Sequence, residues 1–229
     1  MRENKTKTQL QQGLPVYGVL SASPDPHLAE LIGLVGFDFY MLDAEHGPLT
    51  PADAVNVARA CDAVDITPLA RVGQFDMKLV LQYLDAGIMG IMMPGLRTAV
   101  SIQSFVQGCK YPPEGNRGLG PGRAADYMLG TPADQAAYVA AANEQLLILP
   151  QFEEIALLET LPALTAVPGV DGFVIGPRDL ALSMGYPDGA NHPDVQQCID
   201  DAIRIIQATG RWVGITAGSQ TAARQQIDR

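Results

Sequence analysis

Cysteine is scarce: Cys61, Cys109 and Cys198 are odd in number, far apart and in no CxxC pairing. That argues against a disulfide or zinc framework and for reduced thiols in a cytoplasm. Long apolar runs are missing too. The best, from Ala86 to Leu96, spans eleven residues broken by Gly and Pro, against the roughly 18 a spanning helix needs. The opening MRENKTKTQLQQGLP has basic residues but no apolar run behind them, so neither a secretory signal nor a membrane partner is expected. Positive charge is short as well: 15 Lys and Arg stand against 25 Asp and Glu, a net charge of −10, which repels a phosphate backbone and argues against nucleic acid. Lysine is limited to Lys5 and Lys7 in an N-terminal tail, Lys78 within a helix and Lys110 near a helix end. Schiff-base chemistry needs a desolvated lysine facing its pocket. None closes a strand here, so imine chemistry is disfavoured.

What is present is a globular chain. Its 229 residues are 47% hydrophobic and 17% charged, enough to bury the core of one domain spanning 1–229. With 23 Gly and 17 Pro, many short elements are favoured over long helices. Strand-like runs at 15–22, 37–45, 66–72, 87–95, 146–153, 170–176 and 212–216 alternate with helical spacing near 26–35, 51–63, 75–86, 97–109, 132–142, 154–166 and 194–209. Pro51 after Thr50 and Pro26 after Asp25 read as helix starts. GIMGIMMPG has the continuous apolar character of a strand buried on both faces, so the pattern predicts an α/β fold with a parallel sheet. A (β/α)8 barrel and a doubly wound sheet both fit. The segment 111–130 is too rich in Gly and Pro for an element; it reads as a flexible loop carrying Arg117 and Arg123, and its GLGPG lacks the spacing of a phosphate loop.

Polar residues gather where apolar strands end: Asp43, Glu45 and His46 after the second, Arg71 after the third, Gln151 and Glu153 after the fifth, Asp179 after the sixth. In a parallel barrel these ends share one face, where such folds build their sites. Glu153 and Asp179 form a carboxylate pair sufficient for a Mg- or Mn-type cation that keeps waters. Taken alone, Glu153 also suits a solvated helix start and Asp179 a helix cap. His46 exchanges protons near neutral pH, with Asp43 or Glu45 to fix its tautomer, and equally fits a structural hydrogen bond. Arg71 presents donors to a carboxylate or enolate oxygen, or pairs with Asp43 or Glu45.

GFDFYMLDAEHGP, ARVG, YPPEGNRG, PQFE and VDGFVIGPRDLALSMGYPDGANHPDV, in that order and spacing, resemble the HpcH/HpaI aldolase family of metal-dependent pyruvate aldolases, over about residues 13 to 220. The resemblance implies a (β/α)8 TIM barrel, here with the eighth strand and the C-terminal helices missing, since this chain stops at Arg229 inside the seventh helix. It implies a lyase that reversibly cleaves a 4-hydroxy-2-oxo acid to pyruvate, or a related 2-oxo acid, and an aldehyde. Glu153 and Asp179 would bind Mg or Mn, with Co a further candidate, and Gln151 would support that site. Arg71 would contact the keto oxygen, and His46 with Asp43 would move the proton. The backbone N–H groups around Arg178 and Asp179 would hold the pyruvate carboxylate. Arg178 and Thr216 stand where a small and a larger apolar residue are usual, which bears on the aldehyde accepted. A cytoplasmic homo-oligomer, a hexamer in the family, is implied. Alternatives are oxaloacetate decarboxylation or macrophomate-synthase-like enolate chemistry on the same site, or a non-catalytic keto-acid binder.

Overall fold

The computed structural model describes residues 2–227 and 229. The order is α1 (Lys5–Gln11), β1 (Gly18–Ser21), α2 (Pro26–Leu34), β2 (Phe39–Asp43), α3 (Pro51–Ala63), β3 (Thr67–Arg71), α4 (Met77–Ala86), β4 (Gly90–Met93) and α5 (Ala99–Cys109). It continues with α6 (Pro132–Gln145), β5 (Leu147–Phe152), α7 (Leu161–Thr165), β6 (Gly172–Ile175), α8 (Pro177–Ser183), α9 (Pro193–Ala208), β7 (Trp212–Ile215) and α10 (Gln220–Ile227). Seven strands, each within a run expected from the sequence, lie among the described residues, so the α/β reading with parallel pairing holds. The chain falls into two compact units, Met1–Met93 with Ser104–Ile148, and Pro94–Gln103 with Leu149–Arg229.

In the first unit β1 to β4 pair in parallel in chain order, with Asp43 level with Arg71 across β2 and β3. Every residue of β3 and β4 is buried, because each strand is covered on both faces, as its apolar run implies. Helix starts follow local chemistry. The Asp53 carboxylate accepts from the Thr50 N–H at 2.8 Å and its hydroxyl at 2.7 Å, while Pro51 fills the first position, where no N–H is needed. Asp76 caps α4 by accepting from the Lys78 and Leu79 N–H groups at 2.8 and 2.9 Å, and α4 ends at Gly87, whose φ of +109° suits only glycine well.

The second unit pairs the end of β5 with β6, and β6 with β7. Its main packing helix is α9, which buries Val195, Cys198, Ile199, Ala202, Ile203 and Ile206 at helical spacing. Burial of each large aliphatic contributes about 1.5–3 kcal/mol. The helix expected over 154–166 is instead a 3-10 turn at Ile155–Leu157 followed by α7. Pro162 has no N–H to continue a helix from above and so sits in the first turn of a new one.

Two further expectations change. The N-terminal tail is helix α1, fixed by polar contacts at the strands' N-terminal ends instead of by an apolar stripe. Buried Asn4 donates to the carbonyls of Met89 and Gln145 at 3.0 and 2.8 Å, Thr6 donates to the Asp38 carbonyl, and buried Lys7 donates to the Leu146 carbonyl at 2.8 Å. The segment 111–130 is anchored, not merely flexible. Arg117 is buried, pairs with Asp85 at 2.8 Å and lies 4.5 Å over the Tyr111 ring, while Arg123 pairs with Asp62. Its buried cation needs those partners. Among the described residues no helix is long and apolar enough to cross a membrane.

Candidate functional site

The C-terminal ends of β2 and β3 build the first cluster. Their level register places Asp43 and Arg71 side by side. Arg71 donates through Nε to Asp43 Oδ1 at 2.9 Å and through Nη2 to Oδ2 at 2.5 Å, a bidentate fork, and its Nη1 lies 3.2 Å from Glu45 Oε2. Both partners are buried. The turn after β2 closes on the same carboxylate, with the N–H groups of Glu45 and His46 donating to Asp43 Oδ1 at 3.3 Å. Burial acts to raise the Asp43 carboxyl, but the hydrogen bonds and charge of Arg71, helped by those two N–H groups, outweigh it and hold it below its ordinary 3.8. Gly73 permits the turn to close: a Cβ there would stand 2.8 Å from Glu45 Cα.

His46 is exposed on that turn, its ring Nε2 3.8 Å from Glu45 Oε2. Asp43 reaches His46 through the main chain, its carboxylate committed to Arg71. Of the two acids named for His46 from the sequence, Glu45 is therefore the one beside the ring. The ion-pair reading of Arg71 is also correct, and it is compatible with function because a guanidinium carries five N–H donors.

The end of β5 builds the second cluster. Buried Gln151 donates through Nε2 to Glu153 Oε2 at 2.6 Å, and the Gly95 N–H donates to Glu153 Oε1 at 3.0 Å. A carboxylate only accepts, so the amide must turn its nitrogen to Glu153 and its oxygen away. That oxygen, Gln151 Oε1, is buried and has no hydrogen-bond partner. Gly176, whose N–H donates to the Phe152 carbonyl at 2.9 Å, packs against the same pair; a Cβ there would lie 2.6 Å from Gln151 Nε2 and 3.2 Å from Glu153 Cβ. Gly176 is the N-cap of α8, which puts Asp179 half-buried in the helix's first turn and not at its cap, with Arg178 exposed. Thr216 is exposed just past β7.

A buried, unpartnered acceptor beside a half-buried carboxylate is the donor chemistry a hard cation uses. No group of three or more His, Cys, Asp or Glu side chains that could hold a metal occurs among the described residues, so a cation here would keep much of its water, as Mg-type ions do. The residues fit such an ion. Sequence reasoning missed Gly95 and Gly176, both inside strand-like runs. The signal was there: each glycine ends an apolar strand next to a proline.

Polar clusters at the C-terminal ends of parallel strands, flanked by helices, mark the ligand-binding class of α/β proteins. The chain belongs to the HpcH/HpaI aldolase/citrate lyase family, whose model matches residues 17–226. It is 36% identical over 214 residues to a 2-keto-3-deoxy-L-rhamnonate aldolase of Klebsiella pneumoniae, covering 93% of this chain and 79% of that one. It is 35% identical over 225 residues to a hydroxypyruvate/pyruvate aldolase of Pseudomonas aeruginosa, covering 98% and 83%. A solved HpcH/HpaI aldolase/citrate lyase family protein from Burkholderia cenocepacia superposes with a TM-score of 0.90 at 31% identity, over 98% of this chain and 89% of that one.

Proposed function

We propose that this chain is a metal-dependent aldolase, a carbon–carbon lyase that cleaves a 4-hydroxy-2-oxo acid into pyruvate or a related 2-oxo acid and an aldehyde. The names of the relatives support the reaction class. The observation that carries the metal is the buried, unpartnered Gln151 Oε1 beside Glu153. In this reading residues 1–229 form one (β/α)8-type barrel domain, working as a homo-oligomer in the cytoplasm; the three cysteines, all buried and free, suit that compartment.

Breaking the C3–C4 bond sends its electron pair to C3, giving the enolate of the 2-oxo acid, while the C4 hydroxyl loses its proton and becomes the aldehyde carbonyl. Glu153 and Asp179 would hold Mg or Mn, which when bound supplies electrostatic stabilisation of enolate charge. Gln151 orients Glu153. Arg71, locked by Asp43 and Glu45, offers the keto oxygen a donor that needs no reorganisation. His46, exposed and beside Glu45, takes the C4 hydroxyl proton directly or through a water and returns a proton to C3 of the enolate to give the 2-oxo acid, the same C3 transfer that run in reverse exchanges the methyl protons of pyruvate. The N–H groups around Arg178 and Asp179 bind the substrate carboxylate, and Arg178 and Thr216 bear on which aldehyde is accepted.

The test is NMR of pyruvate methyl-proton exchange in heavy water, which reads enolate formation without knowledge of the aldehyde. Exchange is expected with Mg or Mn, to stop with chelator, and to fall at least about tenfold in His46→Ala, given the 10²–10⁴ that a general acid or base usually supplies. A folded, metal-loaded protein with no exchange overturns the proposal.

A further inference from the structure

Glu153 is reached by a second element besides its own strand. The turn after β4 brings the Gly95 N–H to Glu153 Oε1 at 3.0 Å, opposite the oxygen that Gln151 holds. Both carboxylate oxygens are thereby fixed, which sets the plane of the group. Gly95 has φ +67°, and apart from its chain neighbours no atom lies within 4 Å of where its Cβ would be. Glycine is required by the left-handed backbone that aims this N–H, not by lack of room.

Two residues on, Arg97 clamps the neighbouring Glu154. Its Nε lies 2.8 and 2.9 Å from the two carboxylate oxygens of Glu154, and its Nη2 lies 2.8 Å from Oε1. The turn is also tied to the start of α5: Thr98 N–H donates to Ser101 Oγ and Ser101 N–H to Thr98 Oγ1, each at 3.1 Å. Both ties, at Arg97 and at Thr98, fix the C-terminal side of the turn whose Gly95 N–H faces Glu153. The Arg97 side chain is 68% exposed, and exposed ion pairs add little to stability. An arrangement this specific that contributes so little to folding calls for another role.

We infer that Gly95 and Arg97 are positioning residues for the Glu153 carboxylate: Gly95 fixes one oxygen through its N–H, and the Arg97–Glu154 clamp holds the turn that presents it. This rests on Glu153 being a metal ligand. Partners of metal-binding carboxylates typically govern affinity by 10–100-fold when lost.

The experiment measures Mn(II) dissociation constants by electron paramagnetic resonance, with melting temperatures in chelator alongside. Arg97→Ala is expected to weaken Mn(II) about tenfold while its melting temperature stays near wild type, and Arg97→Lys to recover part of the loss. Gly95→Ala, which keeps the N–H but strains its direction, is expected to weaken Mn(II) as well. The exchanged pair Arg97→Glu with Glu154→Arg is expected to bind more tightly than either single change. Wild-type affinity in both Arg97→Ala and Gly95→Ala, with Glu153→Gln abolishing uptake, overturns this inference and leaves the metal site standing. A wild-type protein that takes up no Mn(II), or a Glu153→Gln variant that binds as wild type does, overturns both.

Discussion

The two strand-end clusters are made of similar residue types and built in opposite ways. At the ends of β2 and β3 each charged group faces one of opposite sign: Arg71 forks onto Asp43, Glu45 Oε2 stands 3.2 Å from Arg71 Nη1, and two main-chain N–H groups complete the Asp43 carboxylate. At the end of β5 the carboxylate is held in place, but the amide that holds it turns a buried oxygen to no partner. The first arrangement is finished without a ligand. The second keeps an unfilled acceptor, and buried acceptors are costly enough that native structures seldom leave them so. A closed cluster serves a fixed donor, and an open one serves a ligand that arrives.

The largest effect that separates them is on stability. Arg71→Ala leaves the Asp43 carboxylate buried beside no cation, and breaking such a pair costs about 3–5 kcal/mol. Urea unfolding is expected to show that loss; a change under about 1 kcal/mol would mean that the cluster is not closed in the sense argued. The pH dependence comes next. The folded Asp43 carboxyl lies below its ordinary 3.8, so the unfolded chain binds the proton more readily. The stabilisation is then complete above about pH 5, where both states are ionised, and is lost as pH falls through the folded value. Asp43→Asn is therefore expected to make the decline in stability below about pH 4 shallower than in wild type. It should not remove the decline, because Asp53 and Asp134 are also held low by their helix caps.

How much of this was legible in the sequence follows the same division. Strands buried on both faces announce themselves as apolar runs, and each polar residue that ends one was visible as a change of composition, which is why Asp43, Arg71, Gln151 and Glu153 stood out. Helix starts at Thr50–Pro51 and Asp25–Pro26 were legible because capping is local chemistry. Helix α1 was not: its residues are polar but for Leu10, and what fixes it are carbonyls of Met89, Gln145 and Leu146, far away along the chain. Arg117 was misread for the same reason, since its partner Asp85 lies on α4. Which acid stands beside His46 also depended on a tertiary fact, the level register that gives Asp43 to Arg71. Gly95 escaped notice because its contribution is a backbone N–H, which the sequence marks only by a glycine beside Pro94 at the close of an apolar run.

The smallest effect on folding tests the open cluster most directly. Gln151→Leu removes the Nε2 hydrogen bond to Glu153, a loss, and also removes the unpartnered Oε1, whose burial costs about 1–3 kcal/mol. The two changes oppose each other, and Glu153 keeps the Gly95 N–H. In chelator the variant is expected to unfold within about 1 kcal/mol of wild type. A divalent cation should separate them: at 100 times its dissociation constant a ligand adds about 2.7 kcal/mol to stability, and a tenfold weaker site under the same conditions adds about 1.4. Denaturant titrations with and without Mn(II) read both numbers. If Gln151→Leu lost several kcal/mol in chelator, Gln151 would be a structural strut like Arg71, and the contrast between the two clusters would fail. If it lost almost nothing in chelator but half of its gain from Mn(II), the cost of leaving Oε1 unpartnered would be explained by the ligand that relieves it.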